Sequence, residues 1–200
     1  MADWKREKAL WCSGCALVGG CDEAGRGPLA GPVVAAITVF SSAAISGLQD
    51  SKILTPKRRL ELHREILNCA TAVGIGVVHN DVIDDINILN ATKLAMSKAW
   101  RNLPLKPDYL LVDALEPDAL RAKVRLEGVI KGDSLCASVA AASIVAKVFR
   151  DRLMSWYHKT YPQYNFLKNK GYPTREHYQA LRTYGCCPLH RRSFRGVVNE

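Results

Sequence analysis

Two acidic residues stand side by side at Asp22-Glu23, at the end of an apolar run, and a glycine-flanked arginine follows in Gly25-Arg26-Gly27-Pro28. Adjacent carboxylates repel each other, and the glycines and prolines that follow them forbid regular structure. A stretch so costly to folding marks a site, because sequences depart from local folding rules chiefly where chemistry requires it. Neighbouring carboxylates can share a divalent cation. A Gly-Arg-Gly turn lets backbone approach a phosphate closely while the guanidinium clamps it.

Two further carboxylates sit where apolar segments end. Asp113 follows Tyr109-Leu110-Leu111-Val112, and Asp133 lies in the turn Lys131-Gly132-Asp133-Ser134. Ligand sites of α/β sheets lie at strand ends. An oxygen-only donor set without histidine suits Mg²⁺ or Mn²⁺ rather than zinc. Two such ions about 4 Å apart can clamp the attacking and leaving oxygens of phosphodiester hydrolysis. Taken singly, Asp113 and Asp133 serve equally well as helix caps or turn formers. Asp151 competes with Asp133, but on a continuous helix the two would stand roughly 27 Å apart and could not share one metal pair. Asp133 opens a helix, where the dipole favours an anion. Asp151, beside Arg150 and Arg152, is explained by an ion pair.

The elements that must position these groups follow from periodicity and turn chemistry. Strands are expected over 16–21, 33–40, 71–79, 109–112 and 124–130, the first two joined by the Gly/Pro turn. Thr55-Pro56 opens a helix by N-cap and N1 chemistry, and it runs to about residue 69. Helices are also expected over 81–90 and 91–102, with Leu94, Ala95 and Trp100 facing inward. A long helix after the 131–134 turn carries Val139, Ile144, Val145 and Val148, and its alanines and serines let it lie close to a sheet. A last helix over 174–184 precedes the basic tail His190-Arg191-Arg192-Ser193-Phe194-Arg195. Strands that give way to alternating strands and helices make a mixed α/β sheet covered by helices.

Two hundred residues, 48% of them hydrophobic and 24% charged, make one globular domain over 1–200 with a sizeable core. Residues 1–15 read as an N-terminal extension and about 160–200 as a basic helical segment and tail. The net charge of +9 is unevenly spread: residues 131–200 carry twelve basic and four acidic side chains. Such a surface either confers solubility alone or forms a footprint for a phosphate backbone. The seven cysteines, with Cys69 and Cys136 read as core, suit reduced thiols. Cys12 and Cys15 have ligand spacing but no second pair to complete a zinc site, and vicinal Cys186-Cys187 is poor tetrahedral geometry. No signal peptide is apparent, and the longest small-apolar run, 135–146, is too short to span a bilayer.

The ordered motifs resemble bacterial ribonuclease HII, the type 2 ribonuclease H family. They are Gly20-x-Asp22-Glu23-Ala24-Gly25-Arg26-Gly27-Pro28-Leu29-Ala30-Gly31-Pro32, Asp50-Ser51-Lys52, Ile86-Asn87-Ile88-Leu89-x-Ala91-Thr92, Leu111-Val112-Asp113 and Lys131-Gly132-Asp133. Ser138 to Val148, Arg150-Asp151, Asn169-Lys170-Gly171-Tyr172-Pro173-Thr174-x-Glu176-His177 and His190-Arg191-x-Ser193-Phe194 complete the set. The resemblance implies an RNase H-like fold and a metal-dependent endoribonuclease. Such an enzyme cuts the RNA strand of RNA–DNA hybrids and incises duplex DNA 5′ of embedded ribonucleotides, leaving 3′-hydroxyl and 5′-phosphate. It implies Asp22, Glu23, Asp113 and Asp133 as catalytic and metal-holding groups for Mn²⁺ or Mg²⁺, with two ions during catalysis. Gly25, Arg26 and Gly27 would grip the backbone at the RNA–DNA junction. Tyr172 would meet the sugar on the DNA side, and Lys52 would lie near substrate phosphates. Without the motif context, Tyr172 would read as a packing residue and Lys52 as a solvated one.

The resemblance also implies a cytoplasmic monomer with no membrane partner. With about fifteen residues before the first strand, the extra N-terminal domain of the related ribonuclease HIII is not expected. Cys12, Cys15, Cys186 and Cys187 depart from the family pattern. The competing reading is a non-catalytic binder of hybrids that uses the basic surface alone. A pure binder gains nothing from four acids facing phosphates.

Overall fold

The computed structural model describes residues 1–43 and 45–197. A five-stranded mixed sheet has the order β3-β2-β1-β4-β5. Its strands are β1 (Val18–Ala24), β2 (Val33–Phe40), β3 (Ala72–Val78), β4 (Tyr109–Asp113) and β5 (Arg125–Val129). The first three form antiparallel pairs, while β4 runs parallel to both β1 and β5. The expected mixed sheet flanked by helices is the architecture observed.

Every residue of β2 is buried, because both faces of the sheet are covered. Alternation along the strand assigns its side chains to two layers. Ala35, Ile37 and Val39 pack with Ala91, Ala95, Met96 and Ala99 of α3 (Asn80–Arg101). Val34, Ala36 and Phe40 pack under α2 (Pro56–Cys69) and α6 (Ala137–Thr160). The close seating of α6 rests on Gly20: a Cβ there would overlap the Ser138 backbone. Thr38 of β2 donates from Oγ1 to Ser138 O at 2.9 Å in the same buried layer. A third cluster joins Leu29 and Ala30 to Met154, Tyr164, Phe166 and α8 (Arg175–Tyr184), fastening the C-terminal segment to the Gly/Pro turn.

Several elements differ from expectation. The first strand continues through the acidic pair to Ala24, because antiparallel pairing with β2 persists to Ala24–Val34. The pair of helices expected over 81–102 breaks at Asn87 (φ 65°) rather than at 90–91. There the Asn87 side chain accepts from Leu89 N and Asn90 N, capping the second segment. The turn at 131–134 leads into a one-turn helix, α5 (Gly132–Leu135), and Cys136 separates it from α6. Short helices α4 (Asp118–Arg121) and α7 (Phe166–Asn169) occupy connections.

The N-terminal extension holds a helix that periodicity did not indicate, α1 (Lys5–Cys12). Its one fully buried side chain is an acid, Glu7, so no apolar stripe announces it. Glu7 Oε1 accepts from Ser138 N at 2.8 Å and from Ser138 Oγ at 2.6 Å. It thus caps α6 from a distant part of the chain, in place of Cys136, which offers no side-chain cap. Cys69 is exposed rather than core, whereas Cys136 is buried as expected, together with Cys21 and Cys187; all seven thiols are free. Cys69 ends α2 on its solvent side, beyond the buried stripe of Leu62 and Ile66.

Candidate active site

The register of the two central parallel strands brings the first carboxylates together. Cys21 pairs with Val112, so the next step along each strand sets Asp22 beside Asp113. Cys21 and Val112 both face the α3 layer, and alternation turns Asp22 and Asp113 to the α6 side. Asp133 reaches the same place from the start of α5. Carboxylate oxygens of Asp22, Asp113 and Asp133 lie within 4.8 Å of one another. Lys131 takes a left-handed conformation (φ 59°), and the following Gly132 N–H donates to Asp113 Oδ1 at 2.8 Å. The turn that delivers the third carboxylate therefore also orients the second.

Glu23 leaves β1 on the opposite side from Asp22 and stands outside this triad. It lines the same cleft, a space of about 540 Å³ that also meets Gly25, Arg26, Gly27, Lys52, Asp113 and Tyr172. Arg26 Nη1 approaches Glu23 Oε1 at 3.4 Å, and the buried Oε2 has no hydrogen-bond partner among the described residues. Lys52 Nζ lies 3.6 Å from Asp133 Oδ2 and 3.8 Å from Asp50 Oδ1. All nine site residues expected from the sequence thus meet in or beside one cleft. Ala24, Ser51, Ile88 and Lys147 complete its lining, residues for which no role is expected from the sequence. Their signal was position inside motif blocks, since none is unusual by type.

The electrostatics are those of acids forced together. Burial raises the Asp22 carboxyl well above the usual range, and the charges of Glu23 and Asp113 push the same way, against hydrogen bonds from Ser143 and Glu23 N. Burial also raises Glu23, opposed by Arg26, and raises Asp113, opposed by the Gly132 N–H. Lys52 shows the converse: burial disfavours its ammonium, yet Asp50, Asp133 and Asp22 hold its pKa above the ordinary lysine value. The concentrated negative potential and the unpartnered Glu23 Oε2 fit a hard divalent cation.

Asp151 takes the role expected of it, with different partners. It pairs with Lys147 at 2.6 Å and approaches Arg59 at 3.9 Å, rather than pairing with Arg150 or Arg152. Two arginines of the basic last third are not surface groups at all. Arg150 is fully buried and donates to the carbonyls of Pro32, Lys170 and Ala30 at 2.9–3.1 Å. Arg191, also fully buried, donates to Gly31, Arg26 and Gly25 at 3.0, 2.9 and 2.6 Å. Burial lowers their pKa values to about 10 and about 9, so both stay charged at neutral pH. Gly25 is in a left-handed conformation (φ 101°), and a Cβ there would overlap the Arg150 side chain. The Gly-Arg-Gly turn is therefore built from behind by two guanidinium groups whose partners are backbone carbonyls.

Tyr172 faces that turn across the cleft. A methyl added at Gly27 would lie 3.9 Å from Tyr172 Cε1. The Tyr172 ring also carries Lys147 Nζ at 5.6 Å from its centroid.

A model of the family described as Ribonuclease HII matches residues 19–197. The chain is 51% identical over 197 residues to the ribonuclease HII of Desulfitobacterium hafniense, covering 98% of this chain and 75% of that one. It is 52% identical over 185 residues to the ribonuclease HII of Bacillus velezensis, covering 92% and 71%. Among solved structures, the ribonuclease H2 of Pyrococcus horikoshii superposes with a TM-score of 0.76 at 27% identity, over 90% of this chain and 95% of that one.

Proposed function

We propose, for a chain that belongs to the ribonuclease HII family, a ribonuclease H that incises duplex DNA 5′ of embedded ribonucleotides and cuts the RNA strand of hybrids. One observation carries the reading: three carboxylates from β1, β4 and α5 converge at one end of a cleft bounded by Gly25-Arg26-Gly27 and Tyr172. Asp22, Asp113 and Asp133 would hold a divalent cation, Mg²⁺ or Mn²⁺, and the free Oε2 of Glu23 is the donor left for a second. When bound, the cations polarise the phosphoryl oxygen and make water a better nucleophile at neutral pH.

The remaining steps belong to the protein. Gly132 N–H and Ser134 Oγ fix Asp113 and Asp133 through bonds of 2.8 and 3.3 Å, so the donors are organised before substrate arrives. Lys52, its charge secured by Asp50 and Asp133, neutralises the scissile phosphate. Gly25 to Gly27 grip the backbone at the junction, with Arg26 aligned by Glu23. Tyr172 stacks against the deoxyribose on the far side, where a 2′-hydroxyl is absent. The cut leaves 3′-hydroxyl and 5′-phosphate. The enzyme is proposed to work as a cytoplasmic monomer; no helix among the described residues is long and apolar enough to cross a membrane.

The deciding experiment is a cleavage assay on a duplex with one embedded ribonucleotide and on a continuous hybrid, titrated with Mn²⁺ or Mg²⁺ and controlled with EDTA. The proposal fails if cleavage persists in EDTA or if Asp22→Asn retains near-normal rates.

A further inference from the structure

Two buried histidines lie outside the catalytic cleft and have no part in the chemistry above. His177, on α8, is fully buried, and His190, in the C-terminal segment, is 2% exposed. Their Nε2 atoms are 3.1 Å apart. His177 Nδ1 lies 2.9 Å from the carbonyl oxygen of Tyr172. His190 Nδ1 lies 3.0 Å from the Cys187 backbone N–H.

These contacts admit one arrangement of protons. Tyr172 O can only accept, so His177 Nδ1 carries a hydrogen and donates. The Nε2 of that neutral ring is then a lone pair, so His190 Nε2 must donate to it. His190 Nδ1 is left as the acceptor for Cys187 N–H. The nearby Cys187 O, 3.3 Å from Nδ1, accepts from His190 N at 3.1 Å, and the Cys187 thiol, 3.2 Å from Nδ1, is a further donor to that nitrogen. Tyr164 and Phe166 pack their rings around the pair, with Tyr164 4.7 Å from the His190 centroid and Phe166 5.6 Å from that of His177. Burial in this aromatic cage pushes His190 down to about 4 and lowers His177 too, so both rings are neutral at physiological pH.

The two ends of the chain of bonds are the two sides of the recognition cleft. His190 pairs with Ala30 as an isolated bridge, and Arg191 N donates to Leu29 O at 2.8 Å. The adjoining Arg191 side chain holds the carbonyls of Gly25 and Arg26. At the other end, His177 holds the Tyr172 carbonyl, which also accepts from Thr174 N. We infer that His177 and His190 are positioning residues that set the gap between the Gly25-Arg26-Gly27 turn and Tyr172, and so tune discrimination of the RNA–DNA junction. The inference rests on the roles proposed above for that turn and Tyr172.

The test compares His177→Phe, which keeps a ring in the cage without hydrogen bonds, with His177→Asn, whose side-chain N–H takes the place of Nδ1–H. Each is assayed, beside Tyr172→Ala, for kcat/KM on a duplex with one embedded ribonucleotide and on a continuous RNA–DNA hybrid. The preference for the embedded ribonucleotide is expected to fall about tenfold in His177→Phe and to recover substantially in His177→Asn. Amide exchange over 171–174 is expected to rise in His177→Phe. A preference unchanged in His177→Phe, while Tyr172→Ala lowers it, overturns the inference. If Tyr172→Ala itself leaves the preference unchanged, the fault lies in the role given to Tyr172. Exchange over 171–174 in His177→Phe then decides positioning alone: a rise supports it and no change overturns it. Nitrogen-15 shifts of the wild-type chain give a measure independent of any variant's folding. They should report Nδ1–H for His177 and Nε2–H for His190, and the opposite tautomers would refute the arrangement.

Discussion

Asp22 and Asp113 leave adjacent parallel strands one step beyond the Cys21–Val112 pair and on the same face of the sheet. Burial of these two acids opposes folding when they are charged, and repulsion from the neighbouring carboxylates adds to the cost. Their folded pKa values are raised above the ordinary 3.8, so the stability they contribute is full below about pH 4 and declines as pH rises through the folded values. Asp22→Asn is expected to abolish cleavage and to raise stability at pH 7 by about 1 kcal/mol. Thermal melts of the two proteins should coincide near pH 3.5 and diverge towards neutrality. A variant less stable than wild type at pH 7 would contradict the electrostatic account.

The same repulsion makes cation binding a stability event. A ligand bound only by the folded chain stabilises it according to its concentration over Kd, by about 2.7 kcal/mol at a hundredfold excess. Mn²⁺ should raise the melting temperature of the wild type, and EDTA should reverse the rise. Asp113→Asn should blunt the response, because it removes one of the three clustered carboxylates. Equal responses in the two proteins would place the cation elsewhere.

The clustered carboxylates were legible in the sequence for a physical reason: each interrupts or ends an apolar segment, and strand ends are where sheets present ligands. The frame behind them was not. Charge counting treats every arginine as solvated, yet Arg150 and Arg191 are fully buried. What buries them is backbone carbonyls more than a hundred residues away along the chain, apart from that of Lys170. Likewise β1 runs past Cys21 through the acids, because its length is set by pairing with β2 rather than by its own apolar pattern.

Arg191 offers a direct test of that frame. Its guanidinium serves three carbonyls from Gly25 to Gly31 and, among the described residues, makes no ion pair with a carboxylate. Lysine cannot reproduce the planar fork. Arg191→Lys is therefore expected to lose on the order of 2–3 kcal/mol of stability through orphaned carbonyls. It should also raise KM for the duplex more than it lowers kcat, because the turn it supports is the element proposed to grip the backbone, while the carboxylates stand apart. Urea unfolding and steady-state kinetics on one preparation give both readings. A loss confined to kcat would mean that Arg191 acts on the carboxylates instead.

Glu7 carries the last prediction, since it joins the unanticipated α1 to the helix that lies across β1. Its Oε1 satisfies Ser138 N and Oγ, while Oε2 is buried without a partner among the described residues. Burial raises its pKa against the pull of the Ser138 bonds. The stability this carboxyl contributes is therefore complete below about pH 4.5 and falls as pH rises through the folded value. Glu7→Gln keeps an acceptor for Ser138 and removes the titration, so its stability relative to wild type should improve between pH 4.5 and 8. Glu7→Ala removes the acceptor and should cost about 1–2 kcal/mol near pH 4.5, the usual loss of a helix cap, and less towards pH 8, because it too removes the titration. A constant offset between Glu7→Gln and wild type across the range would show that the carboxyl does not titrate there. A silent Glu7→Ala would show that α6 does not depend on the distant cap.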